Sequence, residues 1–174
     1  MITFSPLDKT LYAGKKFSIQ YTTHGYYDIQ KTADGFSFSY QPFEKSKEMG
    51  FEDSLFGDWL EAPVAYGAFE DDALIGFAEG SPESWNNRWR ISNIAVFQPH
   101  RRHLGIGTRL MNMMLDTAQK SGARMAVLET QSCNERAISF YKKHGFEIIG
   151  LDLYAYTNTD PDRHEIRIEM GRIL

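Results

Sequence analysis

Apolar and polar residues alternate along two stretches near the N-terminus, a pattern typical of strands with one buried face. Residues 16–23 (KFSIQYTT) and 36–43 (FSFSYQPF) therefore predict two strands. Residues 44–61 follow a different pattern, with apolar side chains at Met49, Leu55, Phe56, Trp59 and Leu60. That spacing predicts a helix, which Pro63 would end because proline cannot continue a helix.

The middle of the chain contains three strand patterns in succession. Val64–Glu70 and 73–79 are apolar-rich runs joined by Asp71-Asp72, which suits a tight hairpin turn. Residues 89–97 form the third run, and Pro99 ends it because proline cannot donate a ladder hydrogen bond.

Two helices follow, each predicted by apolar side chains at helical spacing. The first presents Leu110, Met111, Met114, Leu115 and Ala118 on one face. The second runs from Asn134 through Lys143. Gly122 and Gly145 are placed as their C-terminal caps, because glycine readily adopts the left-handed conformation.

Three further strands complete the pattern. Residues 125–130 lie between the two helices, and 146–156 and 164–170 flank a polar turn near the end of the chain. The order of elements predicts an α/β (α+β) domain with a mixed central sheet flanked by helices. Residues 89–130 should form a right-handed parallel crossover. The length of 174 residues fits one domain, 1–174.

Composition and charge narrow the classes of function. The chain is 42% hydrophobic and 24% charged, which is ordinary for a globular protein. No apolar run approaches the roughly 20 residues that span a bilayer, and the N-terminus lacks a secretory pattern. The single cysteine, Cys133, indicates a reducing cytoplasm. A net charge of −4 disfavours nucleic acid, so we expect neither a nucleic-acid nor a membrane partner.

The segment 98–111 (QPHRRHLGIGTRLM) carries the first candidate chemistry. Helix starts attract phosphate, and glycines let the backbone approach an anion. Arg102-x-x-Gly105-x-Gly107 opens the first predicted helix in this way, although a capped turn with solvated arginines explains the same residues. Leu110 stands where a Rossmann motif needs glycine, and Thr108-Arg109 stands where a P-loop needs Lys-Ser/Thr.

The second helix carries another constellation, Asn134-x-x-Ala137-x-x-Phe140-Tyr141, followed by Gly145-Phe146. Asn134 is a good N-cap, and Tyr141 at helical spacing is compatible with a core position. In this order, strand ISNIAV, the glycine loop and this helix resemble the GNAT superfamily of acyl-CoA-dependent N-acetyltransferases. The resemblance covers 64–170 as an acetyl-CoA-binding core and leaves 1–63 as a variable acceptor-side region.

Within the superfamily, two stretches resemble the streptothricin acetyltransferases. They are Leu128-Glu129-Thr130-Gln131-Ser132 followed by Asn134, and Phe146-x-x-x-Gly150-x-Asp152. The resemblance implies acetyl-CoA as acetyl donor, no metal, and parallel strands that splay at the cofactor site. The implied cofactor-binding residues are Ile94, Ala95, Val96, Arg101, Arg102, His103, Leu104, Gly105, Ile106, Gly107, Thr108, Asn134, Ala137 and Phe140.

The resemblance also implies catalytic roles. Tyr141 would protonate the departing thiolate, since tyrosine stays protonated at neutral pH. The streptothricin acetyltransferases resemble one another in carrying acidic residues where this chain has Ser92 and Asn93, so the candidates for the general base here are Glu79 and Glu129. A structural or surface carboxylate remains the alternative for both. Weaker candidates for the base are Glu83 and Asp152, and the aromatic residues considered for an acceptor pocket are Trp85, Trp89, Tyr154 and Tyr156.

The resulting functional hypothesis is an N-acetyltransferase acting on a primary amine of a small molecule, with streptothricin as a candidate. A protein amine or a polyamine is an alternative acceptor. A non-catalytic acyl-CoA-binding sensor is an alternative of another class. A homodimer is left open. The acidic residues Glu52, Asp53, Asp58 and Glu61 either attract a cationic acceptor or form a solvated face.

Overall fold

The structure is a computed structural model and describes residues 1–97 and 104–174. The strands in this part of the chain are β1 (Ile2–Pro6), β2 (Lys16–Thr32), β3 (Gly35–Ser54), β4 (Val64–Glu70), β5 (Ala73–Glu83), β6 (Arg88–Val96), β7 (Met125–Gln131), β8 (Glu147–Asp152) and β9 (Arg167–Ile173). The helices are α1 (Lys9–Tyr12), α2 (Ile106–Lys120), α3 (Glu135–Lys143) and α4 (Asp160–Arg163).

The chain forms two compact units, of which the first comprises Met1–Gln20, Gly50–Val127 and Ile173–Leu174. Its strands lie in the order β1-β4-β5-β6-β7, and only the β6–β7 pair is parallel among the registered pairs of these described strands. Helix α2 packs on β4, β5 and β6. Its buried face consists of Ile106, Leu110, Met111, Met114, Leu115 and Ala118. Each large apolar side chain buried there contributes about 1.5–3 kcal/mol, so this face anchors the helix.

The second unit comprises Tyr21–Met49 and Leu128–Arg172. In the order of the sheet β9 lies between β7 and β8, and it pairs antiparallel with β8. Helix α3 buries Ile138 and Tyr141, and its N-cap Asn134 accepts a hydrogen bond from the Ala137 amide at 3.3 Å. Strand β7 therefore contributes residues to both units, and it leads directly into the segment that starts α3.

The helix expected over residues 44–61 is wrong. Residues up to Ser54 continue β3, which pairs with β2 as a long two-stranded sheet. The Gly14 amide donates to the Leu55 carbonyl at 2.9 Å, and the Leu55 amide donates to the Lys15 carbonyl at 3.0 Å. A Cβ on Gly50 would lie 2.7 Å from the Ile19 carbonyl oxygen, so the two strands approach closely. Hydrogen bonding to a partner strand thus overrides the local spacing of apolar residues.

The middle of the chain folds as its pattern predicts. Strand β4 has the expected bounds, and Asp71 and Asp72 have φ values of 49° and 65°, as a tight hairpin turn requires. Gly122 and Gly145 have φ values of 77° and 80° and lie just after α2 and α3, as expected of C-caps. The expected strands 146–156 and 164–170 are shorter or shifted, because residues 153–166 form turns and α4.

Elements β1 and α1 were not predicted, and β5 extends beyond residue 79 to Glu83. Strand β1 pairs with β4 at the edge of the first unit, where backbone hydrogen bonds rather than a buried face define it. Within residues 1–97 and 104–174, no helix combines the length and apolar character needed to cross a membrane.

Candidate active site

The start of α2 fits an anion-binding role. Gly105 is the N-cap with a φ of 74°, and no side chain among residues 1–97 and 104–174 caps the first turn. A Cβ at Gly105 would meet no described atom within 4 Å, so the described residues leave the space beside this backbone open. Helix starts without a capping side chain present their first N–H groups to anions. Leu104, Ile106, Gly107 and Thr108 belong to this junction, whereas Arg101, Arg102 and His103 lie outside the described residues.

Strand β6 contains a β-bulge that was not predicted from the sequence. Glu79 pairs with Asn93 and Gly80 with Ile91, so Ser92 is the extra residue. The parallel register with β7 runs from Arg88↔Met125 to Arg90↔Val127 and stops just before the bulge. A bulge bends its strand, and it therefore accounts for the end of this parallel pairing. Ile94, Ala95 and Val96, the predicted contacts of the cofactor arm, follow the bulge at the end of β6.

Glu79 is completely buried next to this bulge. Its carboxylate accepts hydrogen bonds from the Phe56 amide at 2.5 Å, the Ser92 hydroxyl at 2.9 Å and the Asn93 side chain at 3.4 Å. Ser92 and Asn93, the two residues that stand where the resemblance implied an acidic pair, are thus donors to Glu79. A carboxylate held by three donors serves as a structural anchor, and its predicted role as general base stays a prediction.

Asn134 and Tyr141 lie at the two ends of α3. The side-chain oxygen of Asn134 caps the helix, in agreement with the predicted role of Asn134 as an N-cap. Its amide nitrogen has no hydrogen-bond partner among residues 1–97 and 104–174, which leaves that donor for a ligand. Ala137 is half-buried in the first turn, and Phe140 packs edge-on against Tyr141 with ring centroids 5.7 Å apart.

The Tyr141 ring is buried, and burial raises the pKa of its hydroxyl to about 12. Within the described ranges the Tyr141 hydroxyl makes no hydrogen bond. Every buried side-chain oxygen or nitrogen in those ranges does have a hydrogen-bond partner, so the Tyr141 oxygen is not one of the buried atoms. The Tyr141 oxygen therefore reaches accessible space from a buried ring. A phenol in this position stays protonated at neutral pH and can donate a proton.

Glu129 lies on β7 in the second unit and is largely exposed. Its carboxylate is 3.6 Å from the Arg167 guanidinium and 3.5 Å from the Tyr156 hydroxyl. Burial and the neighbouring Glu129 carboxylate raise the pKa of Tyr156. Glu129 thus belongs to a surface network, and its predicted role as base is not tested by these contacts.

The weaker candidates are engaged elsewhere. Glu83 forms ion pairs with Arg88 at 3.0 Å and Arg90 at 2.5 Å, and Asp152 lies 3.9 Å from Arg167. Trp89 is buried in the core and donates to the Met114 sulfur, which agrees with the alternative that such an aromatic residue belongs to the core. Burial raises the pKa of the Cys133 thiol, which agrees with an incidental cysteine.

The sequence did not reveal a cavity of about 610 Å³ in the second unit. Residues from β2, the end of β7 and the segment 153–166 surround it. They are Tyr27, Asp28, Ile29, Gln30, Lys31, Ser132, Leu153, Tyr154, Pro161, Asp162, His164 and Ile166. Of the four aromatic residues expected at an acceptor pocket, Tyr154 lies here. No sequence motif links these distant segments, so only the fold brings them together.

Comparison with known proteins decides the family. The model of the acetyltransferase (GNAT) family matches residues 26–146. The chain belongs to the GNAT acetyltransferase family. It is therefore an acyl-CoA-dependent N-acetyltransferase, and its fold is the mixed α/β fold of that family, with a mixed sheet and flanking helices.

Individual relatives extend this comparison. A streptothricin acetyltransferase from Streptomyces lavendulae is 32% identical over 147 residues, covering 80% of this GNAT chain and 77% of the relative. N-alpha-acetyltransferase 50 from Danio rerio is 33% identical over 124 residues, covering 68% and 73%. The crystal structure of a nourseothricin acetyltransferase matches with a TM-score of 0.78 at 26% identity, covering 99% and 98%.

Proposed function

We propose that this protein transfers the acetyl group of acetyl-CoA to a primary amine of a small molecule, with streptothricin as the first acceptor to test. Acetyl transfer is the reaction of its family, so the proposal concerns the acceptor and the residues. The likeness to streptothricin and nourseothricin acetyltransferases supports the choice of acceptor. The observation that carries the mechanism is Tyr141, whose buried ring brings a protonated hydroxyl to accessible space.

Acetyl-CoA fits the start of α2. The N–H groups from Arg102 to Thr108 would hold the pyrophosphate, and Gly105 with its φ of 74° leaves the backbone open to an anion. The backbone of Ile94, Ala95 and Val96 would hold the pantetheine arm by hydrogen bonds. Asn134 would use its free amide nitrogen toward the same arm. When bound, acetyl-CoA supplies an acetyl group activated as a thioester.

The residues of this chain would then move protons rather than form covalent bonds. Tyr141 would donate its proton to the departing sulfur. Burial raises the pKa of Tyr141 to about 12, so its hydroxyl carries that proton at neutral pH. Binding the donor and the amine side by side makes the attack effectively intramolecular. Within residues 1–97 and 104–174, no group of three His, Cys, Asp or Glu side chains is arranged to hold a metal ion, and this route requires none.

The acceptor is tested by a screen. Purified protein is incubated with acetyl-CoA and streptothricin, spermidine or lysine peptides, and products are read by mass. Acetylation of streptothricin at the highest kcat/KM would support the proposal. Acetylation of spermidine or of lysine peptides without acetylation of streptothricin would contradict streptothricin as the acceptor.

The role of Tyr141 is tested with Tyr141→Phe, which removes the hydroxyl and keeps the ring. We expect kcat with the best acceptor to fall about 100-fold, while the Kd for acetyl-CoA measured by calorimetry stays unchanged. Tyr12→Phe, whose ring lies beside Lys15 in the first unit, is the matched control. Unchanged thiol release by the Tyr141 variant would remove its role as acid.

A second candidate acceptor is the alpha-amine of a protein or peptide. The 33% identity to an N-alpha-acetyltransferase favours it over other protein amines. Peptides with free and blocked N-termini in the same screen distinguish this case, because only the free amine can be acetylated. The cytoplasmic location and a homodimer remain predictions.

A further inference from the structure

The cavity of the second unit is built at the carboxyl end of β7. The Tyr27 amide donates to the Ser132 carbonyl at 3.0 Å, and the Ser132 amide donates to the Ile166 carbonyl at 2.8 Å. Ser132 directly follows β7 and lies two residues before the N-cap of α3. Ligands of open α/β sheets bind beyond the carboxyl ends of strands, so this cavity has the position of a substrate site.

His164 lines this cavity in an unusual backbone conformation. Its φ is 61°, and its carbonyl accepts the Ser132 hydroxyl at 2.7 Å. Its ring stacks on Tyr26 with centroids 3.6 Å apart and an interplanar angle of 19°. This left-handed conformation belongs to the C-cap of α4, where the His164 amide donates to the Asp160 and Pro161 carbonyls. The stack on Tyr26 holds the ring, and the Ser132 hydrogen bond holds the backbone of His164.

Both ring nitrogens of His164 are available for a ligand. In the described part of the chain neither nitrogen makes a hydrogen bond. Every buried side-chain nitrogen in the described residues has a hydrogen-bond partner. The two ring nitrogens of His164 have none, so both of them reach accessible space. By contrast, His144 in the same unit uses Nδ1 on the Phe140 carbonyl at 2.8 Å, and His24 contacts Glu135 at 3.2 Å.

The surroundings keep the imidazole neutral. Burial lowers the pKa of His164, and the Lys47 ammonium on β3 lowers it further. Asp28 on β2 and Asp162 on α4 raise the pKa, but less. At neutral pH the ring is therefore an unprotonated base beside two carboxylates. Lys31, whose ammonium lies 5.5 Å from the Tyr154 ring centroid, is the other charged group at the cavity.

We propose that this cavity receives the acceptor amine and that His164 accepts the proton which the amine loses on acetylation. The inference rests on the proposed acetyl transfer to an amine. It explains how this chain manages without an acidic pair at Ser92 and Asn93. The carboxylates of Asp28 and Asp162 attract the cationic acceptor. Glu79 has three donors on its carboxylate and Glu129 is paired with Arg167. Neither of them is among the residues that line this cavity.

The step balances as follows. The ammonium first loses one proton to water, because its ordinary pKa is near 10.4. The neutral nitrogen attacks the acetyl carbon, a C–N bond forms and the C–S bond breaks. The second proton of the nitrogen passes to His164, and Tyr141 gives its proton to the departing sulfur. His164 later releases its proton to solvent, and Tyr141 regains one, so one proton is released in each cycle.

The test compares His164→Asn with wild type. Asparagine tolerates the left-handed conformation but has no titratable nitrogen. We expect kcat/KM for the acceptor to fall about 100-fold or more, with the Kd for acetyl-CoA unchanged. His24→Asn, on the same unit, is the matched control and should keep wild-type activity. Circular dichroism and urea unfolding verify that the His164 variant is folded.

The pH profile separates a proton acceptor from a merely structural residue. Ionisation of the acceptor amine contributes the same slope to the plot of log(kcat/KM) against pH in wild type and in every variant. Wild type and His24→Asn should show an additional decline of log(kcat/KM) below pH 6.5, the ordinary value for histidine, because His164 becomes protonated there. His164→Asn should lack that additional decline. A folded His164 variant that retains both activity and the decline would overturn the inference.

The two proposals fail in different ways. If wild type acetylates no amine among streptothricin, spermidine and lysine peptides, the proposed function falls and the inference with it. If wild type is active and only the His164 result is negative, the inference alone falls. Asp28→Asn should raise KM for the amine that wild type acetylates best in the screen about 2–5-fold, as expected for one partly screened charge. Asp34→Asn, at the exposed β2–β3 turn, is its control. Equal KM values for the two variants would contradict the cavity as the acceptor site.

Discussion

Replacing Glu79 by alanine tests whether this residue, next to the bulge of β6, has a structural role. The side chain is fully buried and accepts three hydrogen bonds. After truncation, the Ser92 hydroxyl still has the backbone carbonyl of residue 79 at 3.3 Å, and the Asn93 side chain still has Asp53 at 3.1 Å. Only the Phe56 amide loses its acceptor entirely. Phe56 is itself buried with a φ of 57°, so its backbone has little freedom to find another partner.

The magnitude follows from these contacts. An unsatisfied buried donor costs about 1–3 kcal/mol, and each weakened hydrogen bond costs about 0.5–1.5 kcal/mol. Removing a buried carboxyl group relieves part of its desolvation cost. The hydrogen bonds alone amount to about 2–6 kcal/mol, and the relieved desolvation offsets part of that loss. We therefore expect Glu79→Ala to lower the free energy of unfolding by about 2–4 kcal/mol. For a chain of this length that corresponds to about 4–16 °C in Tm.

Urea unfolding followed by tryptophan fluorescence measures this loss, because Trp89 is buried in the first unit. Glu52→Gln, an exposed carboxylate on β3, should change stability by less than about 0.5 kcal/mol. Wild-type stability of Glu79→Ala would refute the structural reasoning. A Glu79→Gln variant with wild-type stability but a kcat reduced about 100-fold would instead identify Glu79 as the general base.

Two further predictions concern other parts of the molecule. Gly105→Val should weaken acetyl-CoA binding measured by calorimetry, because a φ of 74° strains a β-branched residue. Gly105→Asn should preserve the start of α2, because asparagine tolerates this conformation. A Kd for acetyl-CoA of the valine variant equal to that of His103→Ala would contradict this prediction. Burial would raise the pKa of Asp160, but hydrogen bonds from Thr157 and the Tyr156 amide hold that pKa below its ordinary 3.8. Asp160→Asn should therefore lower the urea midpoint above pH 3.8, and the difference should shrink as pH falls below that value; a difference that grows in acid would refute it.

Much of the fold could be predicted from the sequence because its signals are local. Apolar spacing placed α2 and α3, and left-handed residues placed the turns at Asp71-Asp72, Gly122 and Gly145. The order of strands and helices, with the two motifs, indicated the family correctly. These features depend on residues within a few positions of one another, so a single sequence displays them.

The hairpin of β2 and β3 could not be predicted in this way. Residues 44–54 are mostly exposed, so no alternation of burial marks them as strand. Their conformation is fixed by backbone pairing to residues about thirty positions earlier, as the hydrogen bonds between Leu55 and residues 14 and 15 illustrate at its base. Strand pairing over such separations leaves little trace in local composition.

The sequence by itself predicted the proposed cofactor side of this protein, because the glycine loop, Asn134 and Tyr141 lie in contiguous motifs that resemble the GNAT pattern. Only the tertiary structure decided which residues surround the proposed acceptor side. The bulge at Ser92, the three donors around Glu79 and the cavity beside His164 each join segments distant in the chain. The physical reason is that burial, strand register and pKa depend on neighbours in space. A histidine flanked by Arg163 and Glu165 in sequence becomes a neutral, stacked base only when Tyr26, Lys47 and Ser132 pack around it.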